Sequence, residues 1–83
     1  LRWVVAWSRI FSNRELVCAM NTDATQSLSV WATIDSGLHE TGQQVKCLLS
    51  SDVDQVGHGS MIEARNGLAA RITVPPAGFA VWG

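Results

Sequence analysis

A stretch near the middle of the chain alternates apolar and polar positions with one exception. In residues 27–34 one parity carries Leu28, Val30, Ala32 and Ile34, whereas the other carries two serines, a threonine and Trp31. A period of two places successive side chains on opposite faces of a strand, whereas a helix repeats its apolar positions every three or four residues. The stretch therefore predicts a strand with one face in a core. No segment of the chain shows a sustained helical period.

Turn residues divide the rest of the chain into short runs rich in β-branched and aromatic side chains. Asn66-Gly67 separates two such runs and predicts a two-residue hairpin turn, because this pair tolerates positive φ angles. Polar turns at residues 12–14 and 21–23 predict two more strand ends. The predicted strands are residues 3–11, 15–21, 27–34, 43–49, 61–65, 68–74 and 79–82, with a short extended piece at 53–56. The pattern favours an all-β fold. Within this class we predict an antiparallel β-sandwich of six to eight short strands with Greek-key connections.

The length and charge of the chain limit the number of domains and the classes of partner. The 83 residues suffice for one domain, residues 1–83, and the chain starts without Met, as an excised piece of a larger protein would. A net charge of −1 predicts no nucleic-acid partner and no attraction to an anionic membrane. Apolar runs are too short to cross a bilayer, and the absence of a signal peptide slightly favours the cytoplasm. Only 16% of residues are charged, against about 25% in typical domains, which predicts that part of the surface is covered.

The sequence offers little for catalysis or metal binding. Cys18 and Cys47 fall on predicted core faces, either as free thiols or, if their strands face each other, as a disulfide. His39 and His58 are the only imidazoles, and no nucleophile elbow, phosphate-binding loop or metal-ligand spacing accompanies them. We predict no catalytic residue, no metal site and no cofactor.

Tryptophans carry the strongest functional signal. The first predicted strand is apolar on both faces, and it includes Trp3 and Trp7. We predict that Trp31 and Trp82 face outward, because alternation assigns their neighbours Val30 and Val81 to the core. The four tryptophans are candidates for a domain interface or for stacking on sugars, and core packing remains an alternative for Trp3 and Trp7.

Two segments resemble a known family. Residues 8–23, SRIFSNRELVCAMNTD, resemble the opening hairpin of the C-terminal β-domain of α-amylase family glycoside hydrolases. Residues 70–82, ARITVPPAGFAVW, are similar to the last hairpin of that domain, whereas residues 36–60 match nothing in it. The order and separation of the two segments agree with the family.

The resemblance implies a noncatalytic domain that packs against a (β/α)₈ catalytic barrel of the same parent chain and stabilises it. The parent would be a glycosidase or transglycosylase acting on α-glucosidic bonds, with its catalytic acids on the barrel and none in this chain. An α-glucan is then a second candidate partner. Two alternatives stay open: an independent carbohydrate-binding β-sandwich module that uses exposed tryptophans, and an immunoglobulin-like interaction domain.

Overall fold

The computed structural model describes residues 3–83 and confirms an antiparallel all-β fold. No α-helix occurs in this range, and the one helical element is a 3₁₀ turn at Val53–Gln55. The strands are β1 (Val4–Phe11), β2 (Arg14–Asn21), β3 (Leu28–Ile34), β4 (Gln44–Ser50), β5 (Gly59–Ala64), β6 (Leu68–Val74) and β7 (Phe79–Trp82).

All seven strands belong to one sheet, with the order β1-β2-β7-β4-β5-β6-β3. Strands β4, β5 and β6 are consecutive neighbours, and β3 returns to lie beside β6, which is a Greek key. The sheet curls until its two edge strands, β1 and β3, lie close together without pairing, so that the barrel-like wall is nearly closed.

Two tight hairpin turns were correctly predicted. Ser12 and Asn13 have φ angles of 49° and 59°, and Asn66 and Gly67 have 51° and 104°. Consecutive positive φ angles match the right-handed twist of the strands on either side of a two-residue turn. The first turn fixes the pairing of Phe11 with Arg14 and so sets the register of the β1–β2 hairpin.

Replacing Gly67 with alanine is expected to lower the free energy of unfolding by about 1 kcal/mol. A Cβ at this position would meet no atom within 4 Å, so the cost comes from the φ of 104° and not from crowding. Asn66→Gly is the control, because its φ of 51° already suits glycine. Urea unfolding of the two variants measures the difference. Equal stability of Gly67→Ala and the unchanged chain would contradict this account of the turn.

The core lies inside the curled sheet. Strand β6 supplies its most deeply buried aliphatic side chains, Ile72 and Val74, which have no exposed surface. The remaining core is drawn from every strand except β1 and includes Val17, Ala19, Ile34, Val45, Cys47, Ile62, Ala70, Ala80 and Trp82. Strand β1 adds only the half-buried Val4 at its start, so it covers the core without filling it.

The two cysteines lie on opposite faces of the sheet. Cys47 points inward and is buried, as predicted, and burial raises the pKa of its thiol. The prediction for Cys18 is wrong, because β2 turns Val17 and Ala19 inward and leaves Cys18 half-buried on the outside. Both thiols are free.

The loop before β5 also differs from the prediction. The predicted extended piece at residues 53–56 does not form, because residues 53–55 adopt the 3₁₀ turn. The Asp52 carboxylate caps this turn by accepting a hydrogen bond from the Asp54 amide. The buried Gln55 holds this turn against the barrel. Its Oε1 accepts from the Ser50 hydroxyl at 2.7 Å, and its Nε2 donates to the Thr73 carbonyl at 2.7 Å.

Candidate functional site

The outer face of strands β1, β2, β7 and β4 carries two rows of apolar side chains in register. The first row joins Val5, Met20 and Phe79, each between 41% and 51% exposed. The second row joins Trp7, Cys18, Val81 and Leu49, of which Trp7 and Leu49 are well exposed. We call these seven residues the docking face. None of them is charged, and large contiguous apolar patches are uncommon on free-standing monomers.

The apolar surface continues across the gap between the edge strands. Trp7 on β1 and Trp31 on β3 line one groove, which has a volume of about 290 Å³. The Arg65 guanidinium lies 3.7 Å from the centroid of the Trp31 ring in a cation–π contact, and Trp31 as a residue remains 40% exposed. Trp31 therefore adjoins the docking face without belonging to its rows.

The structure places three of the four candidate tryptophans at the surface. Trp3 precedes β1 and is 58% exposed, and its carbonyl accepts a hydrogen bond from the Thr22 amide at 2.8 Å. Trp7 and Trp31 face outward. The predicted outward orientation of Trp82 is wrong, because β7 turns Ala80 and Trp82 inward and leaves Trp82 3% exposed. Val81, which we expected in the core, lies on the outer face instead.

A buried carboxylate at one end of the barrel was not anticipated from the sequence. Glu15 Oε1 accepts hydrogen bonds from the Asp35 amide and from His39 Nε2, both at 2.9 Å, and Oε2 accepts from the Ser8 hydroxyl. In a catalytic triad the imidazole lies between the acid and the serine, whereas here the carboxylate lies between serine and imidazole. The cluster therefore ties β1, β2 and the β3–β4 connection together and does not activate Ser8.

A polar cleft opens where β5 diverges from β6. Only Ile62–Ala64 of β5 pair with β6, whereas residues 59–61 pair with β4, so the wall is split beside the end of β6. The cleft has a volume of about 510 Å³. Its lining includes Asp52, Asp54, His58, Ser60, Arg71 and the inward side chain of Trp82.

Metal and membrane-helix features are absent from the described part of the chain. Among residues 3–83, no three His, Cys, Asp or Glu side chains are grouped as a metal ion would require. The same residues contain no helix with the length and hydrophobicity needed to cross a membrane.

Comparison with known proteins gives no relative from which a role could be transferred. No family model, curated protein or solved structure matches this chain.

Proposed function

We propose that this chain is a noncatalytic accessory domain that packs through its docking face against a larger domain of the same parent chain. The observation that carries the proposal is the pair of in-register apolar rows, which extend over four strands without a charged side chain. Covering them would remove several half-exposed large side chains from water, which is the main driving force of such association.

The larger domain is proposed to be the (β/α)₈ catalytic barrel of an α-amylase-like enzyme. This part of the proposal rests on the resemblance of residues 8–23 and 70–82 to the terminal hairpins of that family's C-terminal domain. The same segments contain the second half of β1, all of β2 and the β6–β7 region, and they supply Cys18, Met20, Phe79 and Val81 of the docking face. In this arrangement the chain stabilises the enzyme and contributes no catalytic group.

Met20 allows a sharp test of the docking face. It lies in the middle of the first row and is 51% exposed, and Met61 on β5 is 54% exposed outside the docking face. Met20→Lys and Met61→Lys thus make the same chemical change at matched exposure. In the 83-residue chain alone, both are expected to change stability by less than about 0.5 kcal/mol.

In the parent protein, encoded by this chain with its adjoining coding sequence, the two variants should differ. Met20→Lys would place an ammonium group in an apolar interface and lower the Tm of the parent, whereas Met61→Lys would leave it unchanged. Thermal unfolding followed by calorimetry measures both. Equal effects of the two substitutions would refute docking through this face.

The identity of the parent has a separate test. The coding sequence before this chain should contain a strand–helix repeat of about 250 residues or more, with acidic residues at strand ends. A short linker or an unrelated domain there would refute the proposed catalytic barrel. The comparison of Met20→Lys with Met61→Lys would still decide whether the docking face packs against another domain.

A further inference from the structure

The three asparagines of this chain lie in different environments. Asn21 is 4% exposed, and its side-chain amide donates to the Gln26 carbonyl at 2.9 Å and to the Val74 carbonyl at 3.1 Å. Asn13 and Asn66 are exposed in the two tight turns, and both have positive φ angles. Within the described part of the chain, no hydrogen bond engages the side chain of either. The fold therefore restrains one asparagine amide and leaves two open to solvent.

The residue that follows each exposed asparagine distinguishes the two turns. Asn13 precedes Arg14, which carries a side chain and already pairs with Phe11 across β1 and β2. Asn66 precedes Gly67, which has no Cβ, and the Gly67 amide donates no backbone hydrogen bond to any described residue. A Cβ at Gly67 would meet no atom within 4 Å, so no neighbouring group restricts movement there. The Gly67 nitrogen is thus free to approach the Asn66 side chain.

Few contacts hold this turn in place. One backbone hydrogen bond closes it, from the Arg65 amide to the Gly67 carbonyl at 2.8 Å. Behind the turn, β5 pairs with β6 only through Ile62–Ala64. Exposed hairpin tips with few buried contacts open locally at a small cost in free energy. Asn66 and Gly67 can therefore leave the turn conformation without unfolding of the core.

We propose that Asn66 is a site of spontaneous deamidation, with the Gly67 amide nitrogen as the intramolecular nucleophile. Solvent base removes the amide proton, and the nitrogen attacks Asn66 Cγ. The new N–Cγ bond closes a cyclic imide, and the Cγ–Nδ2 bond breaks as ammonia leaves with a proton from solvent. Water then opens the imide at Cγ, which gives aspartate, or at the backbone carbonyl carbon of residue 66, which gives isoaspartate. Water is the only co-reactant.

The two products differ in their effect on the turn. Aspartate adds one negative charge to a chain of net charge −1, and it tolerates the φ of 51° at residue 66 as asparagine does. Isoaspartate continues the chain through its side chain, so the backbone gains a methylene group between two strands whose register depends on this turn. Formation of isoaspartate therefore loosens the attachment of β5 to β6. The site is independent of the docking face and of any parent enzyme.

Incubation of the folded 83-residue chain at mildly alkaline pH, followed by peptide mapping, tests the proposal. Cleavage after the three glutamates places the asparagines in separate peptides, which are residues 1–15, 16–40 and 64–83. Mass spectrometry measures conversion in each peptide, and electron-transfer fragmentation distinguishes isoaspartate from aspartate. We expect Asn66 to convert at least about tenfold faster than Asn13 or Asn21, which corresponds to about 1.4 kcal/mol in barrier height. The rate should rise with pH, because the nucleophile is the deprotonated amide.

Three variants locate the chemistry. Gly67→Ala places a methyl group beside the attacking nitrogen and is expected to slow conversion of Asn66 by about tenfold. Asn66→Gly removes the reacting amide and should abolish conversion in the peptide of residues 64–83. Asn13→Gly removes the exposed asparagine of the other turn and is the matched control, so it should leave the rate at Asn66 unchanged.

Thermal unfolding tests the effect on the sheet. Asn66→Asp reproduces the aspartate product and is expected to keep the Tm of the unchanged chain. The isoaspartate fraction of the incubated chain is expected to unfold about 4–8 °C lower, a shift that matches a loss of about 1 kcal/mol. If the incubated chain and Asn66→Asp unfold at the same temperature, isoaspartate does not loosen β5.

Three results would overturn the deamidation site itself. If Asn66 converts only when guanidinium chloride unfolds the chain, the folded turn protects it. If Asn13 converts as fast as Asn66, the glycine does not direct the reaction. If aspartate forms without isoaspartate, water attacks the side chain directly and no cyclic imide forms.

Discussion

Replacing Glu15 with alanine is expected to destabilise the fold by about 3–5 kcal/mol, the usual cost of removing one partner from a buried charged cluster. Glu15 is 4% exposed and accepts hydrogen bonds from Ser8, from the Asp35 amide and from His39. All three donors would lose their acceptor together. A domain of this size has about 5–15 kcal/mol of stability, so this substitution removes a large part of it. Urea unfolding followed by circular dichroism measures the loss.

Two further substitutions separate the hydrogen bonds from the charge. Glu15→Gln retains one acceptor oxygen for the Asp35 amide and His39, and its amide group can donate to the Ser8 hydroxyl, so a smaller loss is expected. Glu63→Ala is the surface control, because its ion pair with Arg65, at 3.6 Å, is about half exposed and contributes at most about 1 kcal/mol. Similar losses for Glu15→Ala and Glu63→Ala would show that the buried cluster does not hold the barrel end together.

Replacing Ile72 with alanine is expected to lower the free energy of unfolding by about 2–5 kcal/mol. Ile72 has no exposed surface and lies on β6, which pairs with β3 on one side and with β5 on the other. The truncation removes buried methyl and methylene groups and leaves a cavity that the surrounding strands only partly fill. Each kcal/mol corresponds to about 4–8 °C in Tm for a domain of this length.

The chain offers a matched control for this substitution as well. Ile10 lies on β1 and is 52% exposed, so Ile10→Ala removes the same atoms from a position that already contacts water. Its expected cost is below about 1 kcal/mol. If the two alanine variants unfold at the same urea concentration, Ile72 is not a core residue in solution.

The strands were predictable from the sequence because their signals are local. Alternation in residues 27–34 and the Asn66-Gly67 pair each depend on neighbouring residues, and the structure confirms both β3 and the β5–β6 hairpin. The 3₁₀ turn was not predictable in this way, because it depends on the Gln55 side chain reaching the distant Thr73 carbonyl.

The inward face of β2 was mispredicted for a physical reason that bears on function. Both parities of this strand carry apolar side chains, and the inward one also carries Glu15 and Asn21, whose polar groups are satisfied by long-range hydrogen bonds. A strand that is apolar on both sides gives no local signal for which side is buried. Cys18, which we assigned to the core, lies on the outer side of β2 with Met20, and both belong to the docking face.

The candidate sites themselves were only partly visible in the sequence. An outward Trp31 was expected, and Trp7 was left between an interface and the core. The rows that include Phe79 and Leu49 depend on β7 lying between β2 and β4. The polar cleft likewise depends on where β5 leaves β6. Pairing between strands far apart in sequence decides both features, and residue patterns do not encode it locally.

The position of β7 also sets when this chain can fold. β7 is the last strand of the sequence, yet it joins the β1–β2 hairpin to β4 and the rest of the sheet. During synthesis, about 60 residues separate the end of β2 from the end of β7, which takes roughly 3–12 s at about 5–20 residues per second. An isolated two-stranded hairpin is at best marginally stable in water. The apolar faces of the hairpin therefore remain exposed until residues 79–82 leave the ribosome. Chaperones can bind the hairpin during that interval.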